Sequence, residues 1–372
     1  MHGIPLVDLH AQHVEIADEV QRGFAEVLAA GDYVGGKAVV AFEQEYAEFT
    51  GARFCVGVGN GTDALEMALR AVGVGQGDEV ILPANTFIAT AEAVLRAGAR
   101  PVLVDVDEDA LLIDPDAVED AVTSNTRAVI PVDLYGQVAP FEQLPRSLAE
   151  RGIAVLEDGA QSQGARRQGR SAGTFGAMAA TSFYPGKNLG AYGDAGAVLS
   201  DDEDLAREVR LMGAHGSPSK YVHSVPGFNS RLDTLQAVVL RAKLRRLQEW
   251  NEQRRAAAAH YGELLSGAAG VRLPTTLPRN DPVWHLYVVR VSRRDEVLES
   301  MHAEGVGAGV HYPVPVHLTP AMSALGHVPG SFPVSERAAT QILSLPLFPG
   351  ITPAQQERVV DVLLRALRPA AD

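Results

Sequence analysis

Thr181-Ser182-Phe183-Tyr184-Pro185-Gly186-Lys187-Asn188-Leu189-Gly190 is the stretch of the chain that indicates the fold and its chemistry most directly. It follows Glu157-Asp158-Gly159-Ala160-Gln161 by about one βα unit and places a lysine among apolar and small residues. A lysine in a partly desolvated loop loses part of its preference for the charged form, so its amine can attack an aldehyde. Asp158 lies at the strand end that follows the apolar run 153–156 and is suited to pair with a cationic ring nitrogen. Together, Lys187 and Asp158 indicate pyridoxal phosphate chemistry.

Both residues also have ordinary structural interpretations. A lysine after Pro-Gly is most often a solvated turn residue, and an aspartate at a strand end often caps the next helix. Position alone therefore leaves both alternatives open for Lys187 and Asp158.

Composition limits the class of protein. The chain has 372 residues, of which 46% are hydrophobic and 21% charged, so we expect a folded globular protein of roughly two to three domains. The formal net charge of −14 argues against generic binding to nucleic acid or to an anionic membrane. Any polyanionic ligand is expected to be small.

Targeting signals are not evident in the sequence. Residues 1–8 contain neither a basic segment nor a long apolar run, and no later stretch approaches the ~20 apolar residues that span a bilayer. The single cysteine, Cys55, excludes an internal disulfide and agrees with a reducing compartment. We therefore expect a cytoplasmic protein.

Short apolar runs alternate with helical patterns in the first half of the chain, which predicts an α/β fold with one large sheet. The seven candidate strands are 54–58, 79–82, 101–106, 128–132, 153–157, 179–183 and 197–200. Helical periodicity predicts a helix over 63–72.

A long helix over 232–265, rich in arginine and alanine, is predicted to connect two domains. Beyond it the pattern predicts a smaller α/β domain, with strands at 284–291 and 309–312 and helices at 294–304 and 353–367. We place an N-terminal segment and large domain in residues 1–245 and a small C-terminal domain in 246–372.

A glycine-rich loop, residues 57–65, joins the first predicted strand to its helix. Free amides at a helix start suit a phosphate, and glycine lets the backbone come close to it. Thr62 can add a hydroxyl donor, while Asp63 is equally suited to cap the helix. The spacing is G-x-G-x-G and not G-x-G-x-x-G, which weakens a nicotinamide dehydrogenase interpretation.

Phe87 lies on the loop after the second strand, at the same expected sheet edge as the glycine-rich loop. An aromatic ring at that position can stack on a planar cofactor. Taken alone, the pattern favours the alternative that Phe87 is a core residue.

Five motifs occur in an order that resembles the DegT/DnrJ/EryC1/StrS sugar aminotransferases, and the likeness runs nearly from end to end. The motifs are Gly59-Asn60-Gly61-Thr62-Asp63-Ala64-Leu65, Asn85-Thr86-Phe87, Glu157-Asp158-Gly159-Ala160-Gln161, Ser182-Phe183-Tyr184-Pro185-Gly186-Lys187-Asn188-Leu189 and Gly227-Phe228-Asn229-Ser230-Arg231-Leu232-Asp233. The resemblance implies an aspartate aminotransferase-like (fold type I) structure. That fold has a large mixed, mostly parallel seven-stranded sheet and a smaller C-terminal α/β domain, and its members usually form homodimers with active sites at the subunit interface.

The resemblance also implies roles for individual residues around a pyridoxal 5′-phosphate cofactor. Lys187 resembles the lysine that bonds to the cofactor aldehyde, Asp158 the partner of the pyridine nitrogen, and Phe87 the stacked ring. The other matching positions are Gln161 near the cofactor hydroxyl, Gly61, Thr62 and Ser182 as phosphate ligands, and Asn229 as a residue that reaches across from the second subunit.

The implied reaction moves the amine of L-glutamate to a nucleotide-linked keto-6-deoxyhexose, commonly dTDP-linked. Family members that act as dehydratases have histidine in place of the lysine, whereas this chain keeps Lys187. Lys220 is assigned to substrate phosphate or sugar recognition, with a solvated loop lysine as its alternative. Further candidate substrate residues are Tyr33, Tyr184, His311 and Tyr312, and no metal site is predicted.

Several alternatives remain at this level. The amine acceptor is a nucleotide sugar at C3 or C4, or a free cyclitol or other cyclic ketone. A third possibility is a regulatory or ligand-binding protein that keeps the fold without catalysis. The segment 220–231 resembles family members that act on 3-keto sugars.

Overall fold

The computed structural model describes residues 3–368. Its strands are β1 Phe54–Val58, β2 Glu79–Pro83, β3 Arg100–Val104, β4 Thr126–Val129, β5 Ala154–Asp158, β6 Arg166–Arg167, β7 Arg170–Ser171, β8 Met178–Ser182, β9 Gly196–Ser200, β10 Val271–Arg272, β11 Asn280–Asp281, β12 Tyr287–Val291 and β13 Ile342–Leu345. Its α-helices are α1 Leu9–Ala30, α2 Lys37–Thr50, α3 Gly61–Ala71, α4 Ile88–Ala97, α5 Pro115–Ala121, α6 Ser147–Glu150, α7 Glu203–Gly213, α8 Thr234–Leu264, α9 Arg294–Ala303, α10 Pro333–Ala339 and α11 Pro353–Ala366.

A seven-stranded sheet in the order β1-β9-β8-β5-β4-β2-β3 forms the centre of the fold. Strand β9 runs antiparallel to both of its neighbours, and the pairs from β8 to β3 are parallel. The predicted α/β fold with a large mixed, mostly parallel sheet is confirmed. All seven predicted strands are present, with ends that shift by up to three residues.

The sheet brings the motif-bearing loops to one edge. Asp158 is the last residue of β5 and Ser182 the last residue of β8, and these two strands pair in parallel. Helix α3 begins three residues after β1 ends. Because carboxyl ends of parallel strands lie at the same sheet edge, side chains from these three segments face one crevice.

Helix α8 has 31 residues and is therefore about 46 Å long. Its first half packs Ala237 and Leu240 into a core cluster with Phe42, while its second half packs Ala258 and Tyr261 into the core of the second sheet. The predicted long connecting helix is thus present. The proposed boundary between residues 245 and 246 lies inside it.

The C-terminal part contains a three-stranded sheet, β10-β12-β13, covered by α9 and α11. The prediction of a strand over 309–312 is wrong. Gly309 makes one bridge to Ser344, after which the chain leaves β13 and the His311 carbonyl accepts a hydrogen bond from the Tyr135 hydroxyl at 2.6 Å. Tertiary contacts toward the crevice replace the strand ladder there.

None of the helices in residues 3–368 is long and apolar enough to cross a membrane.

Candidate active site

A tight loop after β8 carries Lys187. Phe183 is fully buried and anchors the start of the loop, and the Lys187 amide donates to the Tyr184 carbonyl at 2.8 Å. Gly190 must be glycine because a Cβ there would lie 2.3 Å from the Pro185 carbonyl oxygen. The loop therefore closes on itself and leaves the lysine partly buried at the wall of the crevice.

Lys187 and Asp158 face the same cavity and influence each other electrostatically. Burial lowers the pKa of the Lys187 amine to about 8, and the Asp158 carboxylate opposes that shift. Burial also raises the pKa of Asp158, against the effects of its hydrogen bonds and of Lys187. The solvated-turn interpretation of Lys187 does not fit its place in this wall.

Two threonines on α4 and its preceding loop support Asp158. The Thr90 hydroxyl donates to Asp158 Oδ2 at 2.8 Å, and Thr86 Oγ1 lies 2.8 Å from Thr90 Oγ1. Since the Thr90 proton is committed to Asp158, Thr86 is the donor to Thr90. The Ala160 amide donates to Asp158 Oδ1 at 3.2 Å. Sequence reasoning missed Thr90, although a second threonine four residues after Thr86 in the same motif-bearing segment was a usable signal.

The N-terminus of α3 forms a close-fitting cradle with the end of β8. A Cβ on Gly61 would lie 2.7 Å from the Ser182 Cβ, so only glycine fits there. Thr62 and Ser182 line the cavity beside it. The cap of α3 is Asn60, whose side chain accepts from the Asp63 amide at 2.8 Å. Asp63 instead accepts a hydrogen bond from the Ser230 hydroxyl at 2.7 Å.

Aromatic and amide side chains cover the opposite side of the cavity. Phe87 is 51% exposed and lies 5.3 Å, centroid to centroid, from the Tyr312 ring. The core interpretation of Phe87 is therefore wrong, because its loop opens directly onto the cavity. Gln161 donates to the Tyr312 hydroxyl at 3.2 Å and accepts from the Tyr135 amide at 2.7 Å.

The predicted site residues divide into two groups. Ten of them line one cavity in this chain, together with Thr90 and His285, which the sequence analysis did not select. The ten are Gly61, Thr62, Phe87, Asp158, Gln161, Ser182, Tyr184, Lys187, His311 and Tyr312. The chain's own cavity is not lined by Tyr33, Lys220 or Asn229.

The cavity has a volume of about 470 Å³, within the usual range for small-molecule sites. Its donor set fits pyridoxal phosphate. The glycine cradle at a helix N-terminus suits a phosphate, the buried and hydrogen-bonded Asp158 suits a cationic ring nitrogen, and Lys187 suits an aldehyde. Phe87 offers an exposed aromatic face to a planar ring.

The pH dependence of Lys187 acylation tests the low pKa of its amine. In cofactor-free protein we expect the labelling rate to rise about tenfold per pH unit below about 8 and to level off above it, because only the free base reacts. Asp158→Asn removes the charge that raises the pKa, so the plateau should begin at a lower pH. Mass spectrometry of the Lys187 peptide gives the rates. A plateau only above pH 10 in the wild-type protein would contradict the assigned environment.

Thr90→Val tests the support of Asp158. Loss of a hydrogen bond to a charged group costs about 1.5–3 kcal/mol, so we expect roughly 10- to 150-fold weaker binding of pyridoxal phosphate in a spectroscopic titration. Thr86→Val is the matched control, since Thr86 contacts Asp158 only through Thr90 and should have a smaller effect. Equal affinities in all three proteins would show that Thr90 does not support the cofactor.

Known proteins are similar to this chain in sequence and in fold. The DegT/DnrJ/EryC1/StrS aminotransferase family matches residues 14–364. The chain is 47% identical to the erythromycin biosynthesis sensory transduction protein EryC1 of Saccharopolyspora erythraea over 361 residues, which cover 97% of this chain and 98% of that protein. It is 46% identical to the dTDP-3-amino-3,4,6-trideoxy-alpha-D-glucose transaminase of Streptomyces venezuelae, with 97% and 95% covered.

A solved structure of a related protein has the same fold. The crystal structure of DesV from S. venezuelae superposes with a TM-score of 0.97 at 45% identity and covers 100% of both chains. The family match and these full-length likenesses agree with the five motifs, four of which contribute residues to the crevice. The chain belongs to the DegT/DnrJ/EryC1/StrS aminotransferase family.

Proposed function

We propose that this chain is a pyridoxal phosphate-dependent aminotransferase that moves the amine of L-glutamate to C3 of a dTDP-linked keto-6-deoxyhexose in deoxyaminosugar biosynthesis. The observation that carries the proposal is the convergence of Lys187, Asp158 and the α3 cradle on one cavity. The named activity of the S. venezuelae transaminase supports the substrate class and the position of the amine.

Each cavity residue has a role that follows from its chemistry. Bound pyridoxal phosphate supplies an electron sink that stabilises negative charge on a substrate carbon. The Lys187 amine takes up the proton that leaves the α-carbon of glutamate and returns it later in the half-reaction. Asp158, whose carboxylate accepts hydrogen bonds from Thr90 and the Ala160 amide, is suited to pair with the cationic ring nitrogen.

The cradle and the aromatic wall fix the cofactor in place. Gly61, Thr62 and Ser182 are proposed to hold the phosphate through amides and hydroxyls. Phe87 covers the ring, and Gln161, which is itself tied to Tyr312, faces the ring hydroxyl. These contacts orient the reacting carbon toward Lys187.

The substrate side of the site is proposed to be shared by two protomers of a homodimer. His311, Tyr312 and Tyr184 line the cavity from within the chain. Tyr33, Lys220 and Asn229 do not line the cavity of their own chain. This supports the proposal that the second protomer contributes them to the site. Tyr33 is 50% exposed. Lys220 lies over the Tyr221 ring at 5.1 Å, and Tyr221 is 84% exposed.

Lys220→Ala tests the recognition of the diphosphate. We expect KM for the dTDP-ketosugar to rise about tenfold, as for one lost charge-assisted hydrogen bond, while the half-reaction with L-glutamate keeps its rate. Stopped-flow absorbance and steady-state assays separate the two effects. Lys37→Ala is the control, because Lys37 is an exposed lysine outside the cavity. An unchanged KM would favour a free cyclitol or another cyclic ketone as the acceptor.

Product NMR with dTDP- and UDP-linked 3-keto and 4-keto sugars tests the position of the amine. We expect the amine at C3 of the dTDP-linked substrate, and turnover of only 4-keto sugars would contradict that. The non-catalytic alternative finds support in the name of EryC1, a sensory transduction protein. It predicts no amine transfer to any sugar in this panel.

We propose that the chain has two domains, residues 1–245 and 246–372. The separate core clusters at the two ends of α8 support this division. The cytoplasm is proposed as the place of action, which agrees with the buried, unpaired Cys55.

A further inference from the structure

The segment 227–233, which we call the arm, alternates between buried and exposed residues over its second half. Ser230 and Leu232 are buried, whereas Asn229, Arg231 and Asp233 are exposed. Successive side chains of an extended chain point to opposite sides, so Ser230 and Leu232 face the protein and the other three face outward. The arm therefore has one side that anchors it and one side that is open to a partner.

Two glycines let the arm lie directly against the large domain. A Cβ on Gly57, near the end of β1, would lie 2.7 Å from the Leu232 Cβ. A Cβ on Gly213, the last residue of α7, would lie 2.5 Å from the Ser230 carbonyl oxygen. The Ser230 amide also donates to the Gly213 carbonyl at 3.1 Å. Close contact with the backbone thus fixes the position of the arm.

The Ser230 hydroxyl joins the arm to the glycine cradle at the start of α3. It accepts from the Gly59 amide at 3.0 Å and donates to Asp63 Oδ2 at 2.7 Å. Asp63 lies in the first turn of α3, and its amide donates to the side chain of the cap residue Asn60 at 2.8 Å. Because Gly59 and Asp63 flank the cradle on its two sides, one buried hydroxyl connects the whole turn with the arm.

The outward side of the arm presents hydrogen-bond donors. Arg231 Nη2 donates to Asn229 Oδ1 at 2.7 Å. A guanidinium can only donate, so this contact occupies the Asn229 oxygen and leaves the NH2 group of Asn229 for another acceptor. Donors of this kind suit an anionic ligand. Neither residue lines the cavity of its own chain, so these donors serve a site outside their own protomer.

We propose that Ser230 is a positioning residue that couples the two sites of the dimer, because it ties the cradle of its own protomer to the arm that brings Asn229 to the second protomer's site. The inference rests on the proposed function, in which Asn229 is contributed across the dimer. Ser230 does not line the cavity, so it acts through Asn229 on one side and through Gly59 and Asp63 on the other. A change in the cradle of one protomer therefore alters how the other protomer holds its cofactor.

Mixed dimers test this coupling. One chain has the wild-type sequence and the other carries Lys187→Ala, so that borohydride reduction with pyridoxal phosphate can label Lys187 only in the wild-type chain. Ser230→Ala is then added to the Lys187→Ala chain. Titration with pyridoxal phosphate, followed by the extent of labelling, is expected to show roughly tenfold weaker binding at the wild-type chain, as for one lost hydrogen bond. A role of Ser230 confined to its own chain would leave this site unchanged, and unchanged affinity in folded mixed dimers would overturn the proposal.

A second variant, Asp63→Ala in the Lys187→Ala chain, tests the coupling from the cradle and decides the question if Ser230→Ala does not fold. Asp63 does not line the cavity, but its loss removes the acceptor of the Ser230 hydroxyl. We expect weaker binding at the wild-type chain, although α3 of that chain is intact, and unchanged binding would contradict the coupling. Ser224→Ala is the matched control, because Ser224 is an exposed serine whose hydroxyl donates to the Gly216 carbonyl at 3.4 Å. An equal loss with this control would also refute the role of Ser230.

Asn229→Ala in the Lys187→Ala chain separates this inference from the proposed function. If this change leaves binding at the wild-type chain unaltered, or if Lys187 is never labelled, the shared site of the proposed function fails. If Asn229→Ala weakens binding but Ser230→Ala and Asp63→Ala do not, only the role of Ser230 is rejected. Weaker binding with all three changes supports the coupling.

Discussion

Lys187→Ala is expected to abolish amine transfer, with a fall in turnover of at least about 10⁴-fold. General acid–base catalysis contributes about 10²- to 10⁴-fold by itself, and this substitution also removes the amine that bonds to the cofactor aldehyde. The lysine lies at the wall of the cavity where its pKa is lowered to about 8, and replacement by alanine leaves no other amine in that wall. Steady-state formation of the aminosugar measures the loss.

Lys243→Ala is a useful control for this substitution. Lys243, on α8, is also buried, and burial lowers the pKa of its amine to about 8. Its amine lies over the Tyr192 ring and does not line the cavity. We expect its loss to affect stability and to leave pyridoxal phosphate attached. Transamination by Lys187→Ala at a rate near that of the wild-type enzyme would rule out the proposed role of Lys187.

Asp158→Asn is expected to lower turnover by roughly 10³-fold. Removing one partner of a buried ion pair costs about 3–5 kcal/mol, because the remaining charge is left without compensation. The ring nitrogen would then lose its proton, and the electron sink on which the reaction depends would weaken. Single-turnover reaction with L-glutamate, followed by absorbance, measures the chemical step.

Asp133→Asn provides the matched control for Asp158→Asn. Asp133 is another fully buried carboxyl at the same sheet edge, and it accepts from the Ala139 amide and the Ser162 hydroxyl, each at 2.8 Å. It does not line the cavity. We expect a loss of stability with a much smaller change in the chemical step. Equal losses from the two substitutions would indicate a structural role for Asp158.

The position of residues at strand ends could be predicted from the sequence, because the loops that follow parallel strands lie at the same edge of the sheet. Asp158 and Ser182 are the last residues of β5 and β8, and the motifs that contain them are visible as local patterns. The same logic placed Phe87 on a loop at that edge. What periodicity could not decide was whether the ring entered the core, since an aromatic residue after a strand fits both environments.

Other parts of the site depend on tertiary geometry that no local pattern contains. His285 reaches the Lys187 loop only because Trp284 turns the backbone at a positive φ and Gly136 allows a close approach. The misassigned strand at 309–312 has a similar origin. Its residues have extended-chain propensity, but contacts of His311 with Tyr135 and Ser344 take the place of a ladder.

The most direct test of the account is borohydride reduction of the purified enzyme with pyridoxal phosphate, followed by peptide mapping. The chain contains only four lysines, Lys37, Lys187, Lys220 and Lys243, so the attachment site can be assigned without ambiguity. We predict a visible absorption band that shifts on addition of L-glutamate and, after reduction, a label on Lys187. Folded protein that shows no such band and carries no label on Lys187 would contradict the central claim.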